Sequence, residues 1–321
     1  MKLYPLKFKP LLHEKVWGGE HIKNIYRHDE PKMERVGESW DVVALSEEND
    51  SEVINGFLAE NTLSELVEVY MGNLVGDRVY EKYGNEFPMI VKVIDAADRL
   101  SVQVHPDDQM AERKGETGGK EEMWYVLDAE PGASLLLGFT QEVTPEQLRL
   151  MSENGTVESV LKRFDVKKGD VFHIPTGVVH AIGKGCLILE VQQASDVTYR
   201  MYDYGRGREL HLDDALEAID YEHWQGRKVG VLPRLNEDVN LVKSDKFIVN
   251  IIEIDKPKEY ELGEVDSFVI LTCAEGHVTV KWDDDYLTLV DGETLMVPAE
   301  MDSLMLLPTV KSKIIETYIE L

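Results

Sequence analysis

The sequence predicts a mainly β protein, built as an antiparallel barrel or sandwich with a few helical segments attached. Strand-like runs rich in Val, Ile, Leu and Tyr follow one another at even spacing, separated by Gly, Asp and Pro turns. Strands do not alternate with long helices along the sequence, so a parallel sheet is not expected. The runs cover residues 88–96, 99–105, 123–129, 133–139, 170–175, 186–193 and 197–204.

Two helical segments interrupt the strands, and we expect them to be insertions that cover the β core. In residues 61–84, Leu63, Leu66 and Val67 recur at the spacing of one helix face. In residues 144–164, the run Thr-Pro-Glu-Gln that opens the segment is a capping box with proline at the first helical position. We expect the second helical region to continue through residues 157–164.

The charge of the chain excludes several classes of partner. Its 321 residues include 34 Lys and Arg against 61 Asp and Glu, a net charge of −27. Such a surface repels nucleic acid and anionic membranes, although a few converging cations could still bind a small anion. We infer no obligate protein partner. Two cysteines, no signal-peptide pattern and no apolar run of spanning length predict a cytoplasmic protein.

One segment carries a recognisable pattern, G-x5-P-x-G-x2-H. Its residues are Gly169, Pro175, Gly177 and His180. The glycines and the proline bend the chain at both ends of a short strand, so that the histidine can point into the mouth of a barrel. The pattern is the second sequence motif of the cupin barrels, which predicts a cupin-type double-stranded β-helix, or jelly roll.

The first cupin motif, normally His-x-His followed by Glu, has a modified counterpart. Here it corresponds to Gln103 and His105, with Glu122 after a longer insertion. Residues two apart on a strand point to the same side, so these side chains can converge with His180 from three strands. Nitrogen and oxygen ligands with one formal negative charge suit zinc or a similar divalent ion.

A Q-x-H pair alone is ordinarily the polar face of a strand. The prediction of a metal site therefore depends on three motifs that occur in chain order: Q-x-H-P, K-x-E and P-x-G-x2-H. His173 precedes the bend, and we expect a structural role for it. The remaining histidines lack a partner pattern and are expected to be solvated or in the core: His13, His21, His28, His211, His223 and His277.

The end of the chain repeats part of the middle. GDVFHIP (169–175) aligns with GETLMVP (292–298), but Ser303 stands where the central copy has His180. A chance match is the alternative to a duplicated barrel unit. With an interruption of pattern at 226–240, we expect a metal-binding cupin domain at 1–230 and a degenerate cupin-like β domain without metal ligands at 231–321.

Six segments resemble type I phosphomannose isomerases in their shorter bacterial form. They are VWGG (16–19), GESWDV (37–42), LSVQVHPDD (100–108), GKEEMWYVLDA (119–129), IPTGVVHAIGKG (174–185) and EVQQASDVTYRMYDYGR (190–206). The resemblance implies a zinc-dependent aldose–ketose isomerase that interconverts mannose 6-phosphate and fructose 6-phosphate through a cis-enediol and feeds mannose metabolism.

The resemblance also implies residue roles. Gln103, His105, Glu122 and His180 become the ligands of one zinc ion per chain. Glu121 could compete with its neighbour, but the pattern K-x-E-x-W-Y selects Glu122.

Four further positions belong to the same pocket by this resemblance. Arg200 becomes the active-site arginine, and Ser101 and Lys120 line the pocket, where all three could bind phosphate. Glu190 is a candidate general base, with Lys120 and metal-bound water as alternatives. Glu190 could instead form only a structural ion pair with Arg200.

Two other functions compete with the isomerase. An iron-dependent cupin oxygenase would use the same ligands, but Lys120 and Arg200 argue against it. A non-catalytic sugar-phosphate sensor would keep the pocket without turnover, and the intact ligand set argues against that.

Overall fold

The computed structural model describes residues 2–26, 33–222, 225–263 and 265–321. Within those ranges, no helix is long and apolar enough to cross a membrane. The strands of the first unit are β1 (Leu11–Gly19), β2 (Val36–Val42), β3 (Ala44–Ser46), β4 (Asn49–Asp50), β5 (Met89–Ala96), β6 (Val102–Val104), β7 (Glu122–Ala129), β8 (Ser134–Phe139), β9 (Leu161–Asp165), β10 (Val171–Ile174), β11 (His180–Ile182), β12 (Cys186–Gln193), β13 (Tyr199–Tyr202) and β14 (Arg227–Val229). The helices are α1 (His21–Tyr26), α2 (Leu63–Tyr70), α3 (Gly72–Val75), α4 (Asp77–Tyr83), α5 (Asp108–Lys114), α6 (Pro145–Glu153) and α7 (Leu212–Ala218), with 3-10 turns at Gly56–Leu58 and Val157–Val160. The C-terminal unit has the strands β15 (Asp238–Lys243), β16 (Ile248–Ile254), β17 (Lys258–Glu261), β18 (Val269–Glu275), β19 (His277–Trp282), β20 (Asp285–Val290), β21 (Thr294–Val297), β22 (Ser303–Pro308) and β23 (Ser312–Tyr318).

The first unit is a pair of facing antiparallel sheets, as the strand pattern predicts. The larger sheet has the order β1-β2-β5-β12-β7-β10-β14, and the smaller has β13-β6-β11-β8-β9. Trp124, Phe172 and Ile188 of the larger sheet pack in one cluster with Leu135 and Ile182 of the smaller sheet. This apolar filling occupies one part of the space between the sheets and leaves room for polar side chains in another.

The central strands of the larger sheet are buried on both faces, which explains their continuous apolar sequences. Every residue of β5 is buried. Val91 and Val93 point away from the barrel interior and join a cluster that also contains Ile251 and Ile315 of the C-terminal unit. The two units therefore share an apolar cluster. The predicted domain boundary between residues 230 and 231 stays a prediction.

The first helical segment has the predicted face and contacts both units. Thr62 and Glu65 form a capping box at the start of α2, and Leu63, Leu66 and Val67 are buried. These side chains belong to the cluster shared by the two units. The segment thus covers the β core, as expected.

The second helical segment is only partly as predicted. The capping box between Thr144 and Gln147 begins α6. The expectation of helix over residues 157–164 is wrong beyond Val160, because Leu161–Asp165 forms β9. This short run has no decisive periodicity, and the free edge of β8 supplies backbone partners that favour a strand.

The C-terminal unit repeats the topology of the first. In the first unit β7 pairs with β10 and β12, and β12 pairs with β5. In the second, β18 pairs with β21 and β23, and β23 pairs with β16. The duplication inferred from the short sequence match therefore extends to strand order and pairing.

The matching registers identify which residues occupy equivalent places. Val269 opposes the residue before Pro298, as Glu122 opposes the residue before Pro175. By the same registers, Glu316 lies opposite Asn250. The equivalent pair in the first unit is Glu190 opposite Lys92. The second barrel keeps the fold and one buried carboxylate but has a valine in place of Glu122, the predicted acidic ligand.

We predict that Glu316→Gln removes a pH dependence of stability. Burial raises the pKa of Glu316 from its ordinary value of 4.5 to about 7, and the charge of Asp238 adds to this effect against the Asn250 hydrogen bond and Lys258. A raised pKa stabilises the protonated folded state, so this contribution is lost as pH rises from about 4.5 to 7. Urea unfolding at pH 5 and pH 8 should show a loss on the order of 3 kcal/mol that the variant lacks.

The control for this prediction is Glu259→Gln, which changes an exposed glutamate of β17. Its unfolding free energy should follow the wild-type pH dependence. A glutamine variant of Glu316 that keeps the full wild-type dependence would contradict the assignment.

Candidate active site

The smaller sheet of the first unit brings three predicted residues into adjacent positions. His180 in β11 lies opposite Gln103 in β6, and Arg200 in β13 lies opposite the same glutamine on the other side. The strand order β13-β6-β11 thus places a cation, an amide and an imidazole side by side.

The larger sheet contributes acidic and basic residues from the opposite side of the cavity. Glu122 is the first residue of β7 and pairs with Gln192 of β12. Glu190 lies two residues earlier on β12, opposite Trp124 on one side and Lys92 on the other. Alternate residues of a strand share a face, so Glu190 and Gln192 both line the cavity.

His105, Glu122 and His180 form a compact set of buried groups that could hold a metal ion. His105 Nε2 lies 3.2 Å from Glu122 Oε1, and His180 Nε2 lies 3.7 Å from Glu122 Oε2. His105 Nδ1 donates to the carbonyl oxygen of Val197 at 2.7 Å, and His180 Nδ1 donates to that of Val178 at 2.9 Å. These bonds leave both Nε2 lone pairs facing the carboxylate, the arrangement that metal-binding histidines require.

The protonation states of this cluster fit a divalent cation. Burial lowers the pKa of His105 to about 3, and the charge of Lys120 adds to the effect. Burial would raise the pKa of Glu122, but Lys120 and the two histidines hold it well below its usual range. Both oxygens of Glu122 are buried without a hydrogen bond in the described part of the chain. A buried carboxylate beside two neutral imidazoles is a set of oxygen and nitrogen donors that suits a divalent cation.

Gln103 lies beside the two histidines. Its amide nitrogen is 3.4 Å from His105 Nε2 and 3.3 Å from His180 Nε2, and its oxygen accepts from Ser101 Oγ at 3.2 Å. The two ends of an amide are distinguished only by their partners, and a cation at the histidines would favour the reverse orientation. Glu121, the competing acid, is 2.8 Å from His173 on the other side of the strand.

Glu190 forms an ion pair with Lys92, not with Arg200. Lys92 Nζ lies 2.7 Å from its Oε1 atom, and Trp124 Nε1 donates to its Oε2 atom at 2.7 Å. The structural ion pair is therefore with Lys92, and Arg200 is bound elsewhere. Burial raises the pKa of Glu190, and the charge of Glu122 adds to this against the opposing effect of Lys92.

Arg200 and Lys120 give the cavity its positive groups near the cluster. Lys120 Nζ lies 3.0 Å from Glu122 Oε1, and only 4% of the lysine is exposed. Arg200 Nη1 donates to the carbonyl oxygen of Glu209 at 2.8 Å, while its buried Nε atom has no hydrogen-bond partner among the described residues. Burial and the charge of Arg208 lower the pKa of Arg200.

The cavity has a volume of about 390 Å³, which is the size of a small-molecule site. Part of its wall comes from residues that motif reasoning missed, among them Lys15, Glu38 and Trp40. Trp40 Nε1 donates to Glu38 Oε2 at 2.9 Å, and Lys15 Nζ lies 3.2 Å from the same oxygen. Burial would raise the pKa of Glu38, but Lys92 and Lys15 lower it to about 2.

The histidines without a motif have varied surroundings. His13 lines the cavity, His21 pairs with Asp95, and His277 is exposed in β19. His28 and His223 lie outside the described residues.

We predict that His105→Ala and His180→Ala each lose bound metal. Removing a residue that hydrogen-bonds to a metal ligand already lowers metal affinity by about 10- to 100-fold. Loss of the ligand itself should lower the affinity further. Metal content after gel filtration measures the effect, with His277→Ala as the matched control. Full metal content in either variant would remove that histidine from the ligand set.

We predict that Lys92→Met destabilises the protein because it leaves Glu190 buried without a counter-charge. Breaking a buried pair costs about 3–5 kcal/mol of unfolding free energy. The double variant Lys92→Met/Glu190→Gln should recover most of this loss, since glutamine keeps an acceptor for Trp124. Denaturant unfolding tests both, with Lys313→Met, which breaks a more exposed pair with Glu275, as the control. Equal losses for the Lys92 and Lys313 variants would contradict the buried-pair account.

The chain also has known relatives. The family model of the phosphomannose isomerase type I catalytic domain matches residues 5–133, and that of the mannose-6-phosphate isomerase cupin domain matches residues 237–317. The mannose-6-phosphate isomerase of Bacillus subtilis is 42% identical over 68% of this chain and 69% of its own length. That of Streptococcus mutans is 34% identical over 93% of this chain and 94% of its own.

Solved structures agree with the sequence comparison. The crystal structure of the Bacillus subtilis mannose 6-phosphate isomerase is similar with a TM-score of 0.84 at 30% identity, covering 99% of this chain and 100% of that one. The predicted cupin fold is thereby confirmed. The chain belongs to the type I phosphomannose isomerase family, as the resemblance of its motifs predicts.

Proposed function

We propose that this chain interconverts mannose 6-phosphate and fructose 6-phosphate in the cavity between the two sheets, through a cis-enediol. The observation that carries the proposal is the convergence of His105, Glu122 and His180, within 4.8 Å of one another, on one cavity. Further buried charged residues line the same cavity, among them the acid Glu190 and the cations Lys92 and Lys120. A metal-dependent aldose–ketose isomerase needs these components.

We propose that the ion is zinc, one per chain, held by His105, His180, Glu122 and Gln103. The histidine nitrogens and carboxylate oxygen suit zinc, and the absence of cysteine ligands is typical of an exchangeable rather than a structural site. When bound, the ion would polarise a sugar oxygen as a Lewis acid and stabilise its negative charge.

Glu190 is our candidate for the residue that moves the proton between adjacent sugar carbons. The raised pKa of this buried carboxylate brings it closer to the range in which a general base works best. Trp124 and Lys92 fix both of its oxygens, so its orientation is set before a sugar enters. Lys120 is the alternative, since its ammonium group lies beside Glu122 in the same cavity.

Arg200, Lys120 and Ser101 are proposed to bind the anionic parts of the substrate. Arg200 stays protonated, so it serves as a fixed positive charge and donor rather than as a base. Its unpaired Nε atom is available for a phosphate or sugar oxygen. The net charge of −27 repels anions elsewhere on the surface, and these local cations offset that repulsion at the cavity. We propose a cytoplasmic location, where sugar phosphates occur.

A coupled assay of fructose 6-phosphate formation from mannose 6-phosphate tests the proposal. The rate is measured on the protein as isolated, after chelation, and after addition of zinc, manganese or iron(II) to separate samples. We expect chelation to abolish turnover and zinc to restore it.

The alternatives give different results in the same experiment. No turnover in the metal-loaded protein would contradict the isomerase. Oxygen consumption with iron would favour the oxygenase, and binding of the sugar phosphate without turnover would favour the sensor. Restoration by another metal but not zinc would contradict the choice of ion alone.

We predict that Arg200→Ala keeps its metal but loses most of its turnover. A fixed charge at a developing oxyanion contributes about 3 kcal/mol, so kcat should fall by about 100-fold or more. Steady-state kinetics and metal content are measured together, with Arg163→Ala as control, because Arg163 is an exposed partner of Asp165. A near-normal kcat would leave Arg200 with a structural role only.

A further inference from the structure

The position of Lys120 depends on an irregular segment. Residues 115–121 join α5 to β7 without helix or strand pairing. They carry Lys120 and lead directly into Glu122, so the placement of both groups depends on what holds this segment.

Asp108, the first residue of α5, holds the segment from outside the cavity. Its Oδ1 atom accepts from Gly119 N at 2.9 Å and from Gln193 Nε2 at 2.9 Å. Gln193 Oε1 in turn accepts from Glu121 N at 2.9 Å. These bonds fix the backbone on both sides of Lys120.

The segment also packs tightly against the start of α5. A Cβ atom at Gly119 would lie 2.6 Å from Asp108 N and 2.8 Å from the carbonyl carbon of Asp107, which is closer than real contacts allow. Because there is no free space between them, a shift of Asp108 must displace the segment as well.

The remaining oxygen of Asp108 is bound by the C-terminal unit. Lys246, in the turn between β15 and β16, places its Nζ atom against Asp108 Oδ2. Ser244 Oγ accepts from Lys246 N at 3.1 Å and closes the turn. The next residue, Phe247, is 1% exposed and belongs to the apolar cluster shared by the two units. The lysine is thus anchored to the common core.

We propose that Lys246 is a positioning residue for the isomerase reaction: through Asp108 it holds the segment that places Lys120 and Glu122 in the catalytic cavity. This inference rests on the proposed function. It assigns a role in the reaction to the C-terminal unit, which supplies no metal ligand among the described residues.

The effect on rate should exceed the effect on stability. A partly exposed ion pair contributes little to folding. By contrast, a displacement of about 1 Å in a catalytic group can lower the rate by about 100-fold. We therefore expect kcat to change in variants whose melting temperature does not.

The test compares Lys246→Met, Lys246→Arg and Asp108→Asn at saturating zinc. We expect Lys246→Met to lower kcat by about 5- to 20-fold with a melting temperature within about 2 °C of wild type, and Lys246→Arg to restore most of the rate. Lys243→Met is the matched control, because Lys243 lies in the same unit and pairs with Glu320. The double variant Lys246→Met/Asp108→Asn should be no slower than the slower single variant, since both changes break one connection.

Amide hydrogen exchange gives a readout that does not depend on turnover. Lys246→Met should speed exchange in the peptide that covers residues 115–122, with no change in a peptide from β8. An inactive wild-type enzyme would contradict the proposed function, and the exchange experiment would still decide on the positioning role.

Two results would overturn the inference. One is an active wild type whose Lys246→Met variant keeps kcat within about twofold and unchanged exchange. The other is a loss of rate that follows a lower melting temperature and is not restored by arginine, since that would show a purely structural role.

Discussion

The buried carboxylate of Glu122 is the group on which the organisation of the site depends. It is 1% exposed, and an unpaired buried charge costs several kcal/mol. Lys120 at 3.0 Å supplies one positive neighbour, and the two imidazoles of His105 and His180 are neutral because burial lowers their pKa. Lys120 balances the formal charge of Glu122, but both carboxylate oxygens are buried without a hydrogen bond among the described residues. The carboxylate and the two Nε2 atoms together are donor types that a divalent ion fits.

A chain of alternating charges extends from this group along the larger sheet. Glu190 pairs with Lys92, whose raised pKa also reflects Glu38, and Lys15 reaches the same glutamate. The C-terminal unit shows that the fold itself does not need this chain. There, Val269 replaces the acidic ligand and Asn250 replaces the lysine in the same strand registers, yet the sheets still form. The charges of the first unit therefore serve the cavity rather than the architecture.

The sequence predicts the fold class and the metal cluster because both depend on short-range patterns. Alternation along a strand aligns Gln103 with His105, and a local bend aims His180. It does not predict the partner of Glu190, because Lys92 lies 98 positions away, beyond any motif. A lysine within the apolar run MIVKVIDA is a signal that a buried acid exists, but it does not identify which one. The strand at Leu161–Asp165 was missed for a similar reason, since its pairing edge comes from β8.

The most direct test of the account is a zinc-edge anomalous difference map from crystals of the protein grown with zinc. The account predicts one strong peak per chain between the two sheets, at about 2.0–2.2 Å from His105 Nε2, His180 Nε2 and a carboxylate oxygen of Glu122. A peak bound by other residues, or none at this place in zinc-loaded protein, would contradict it.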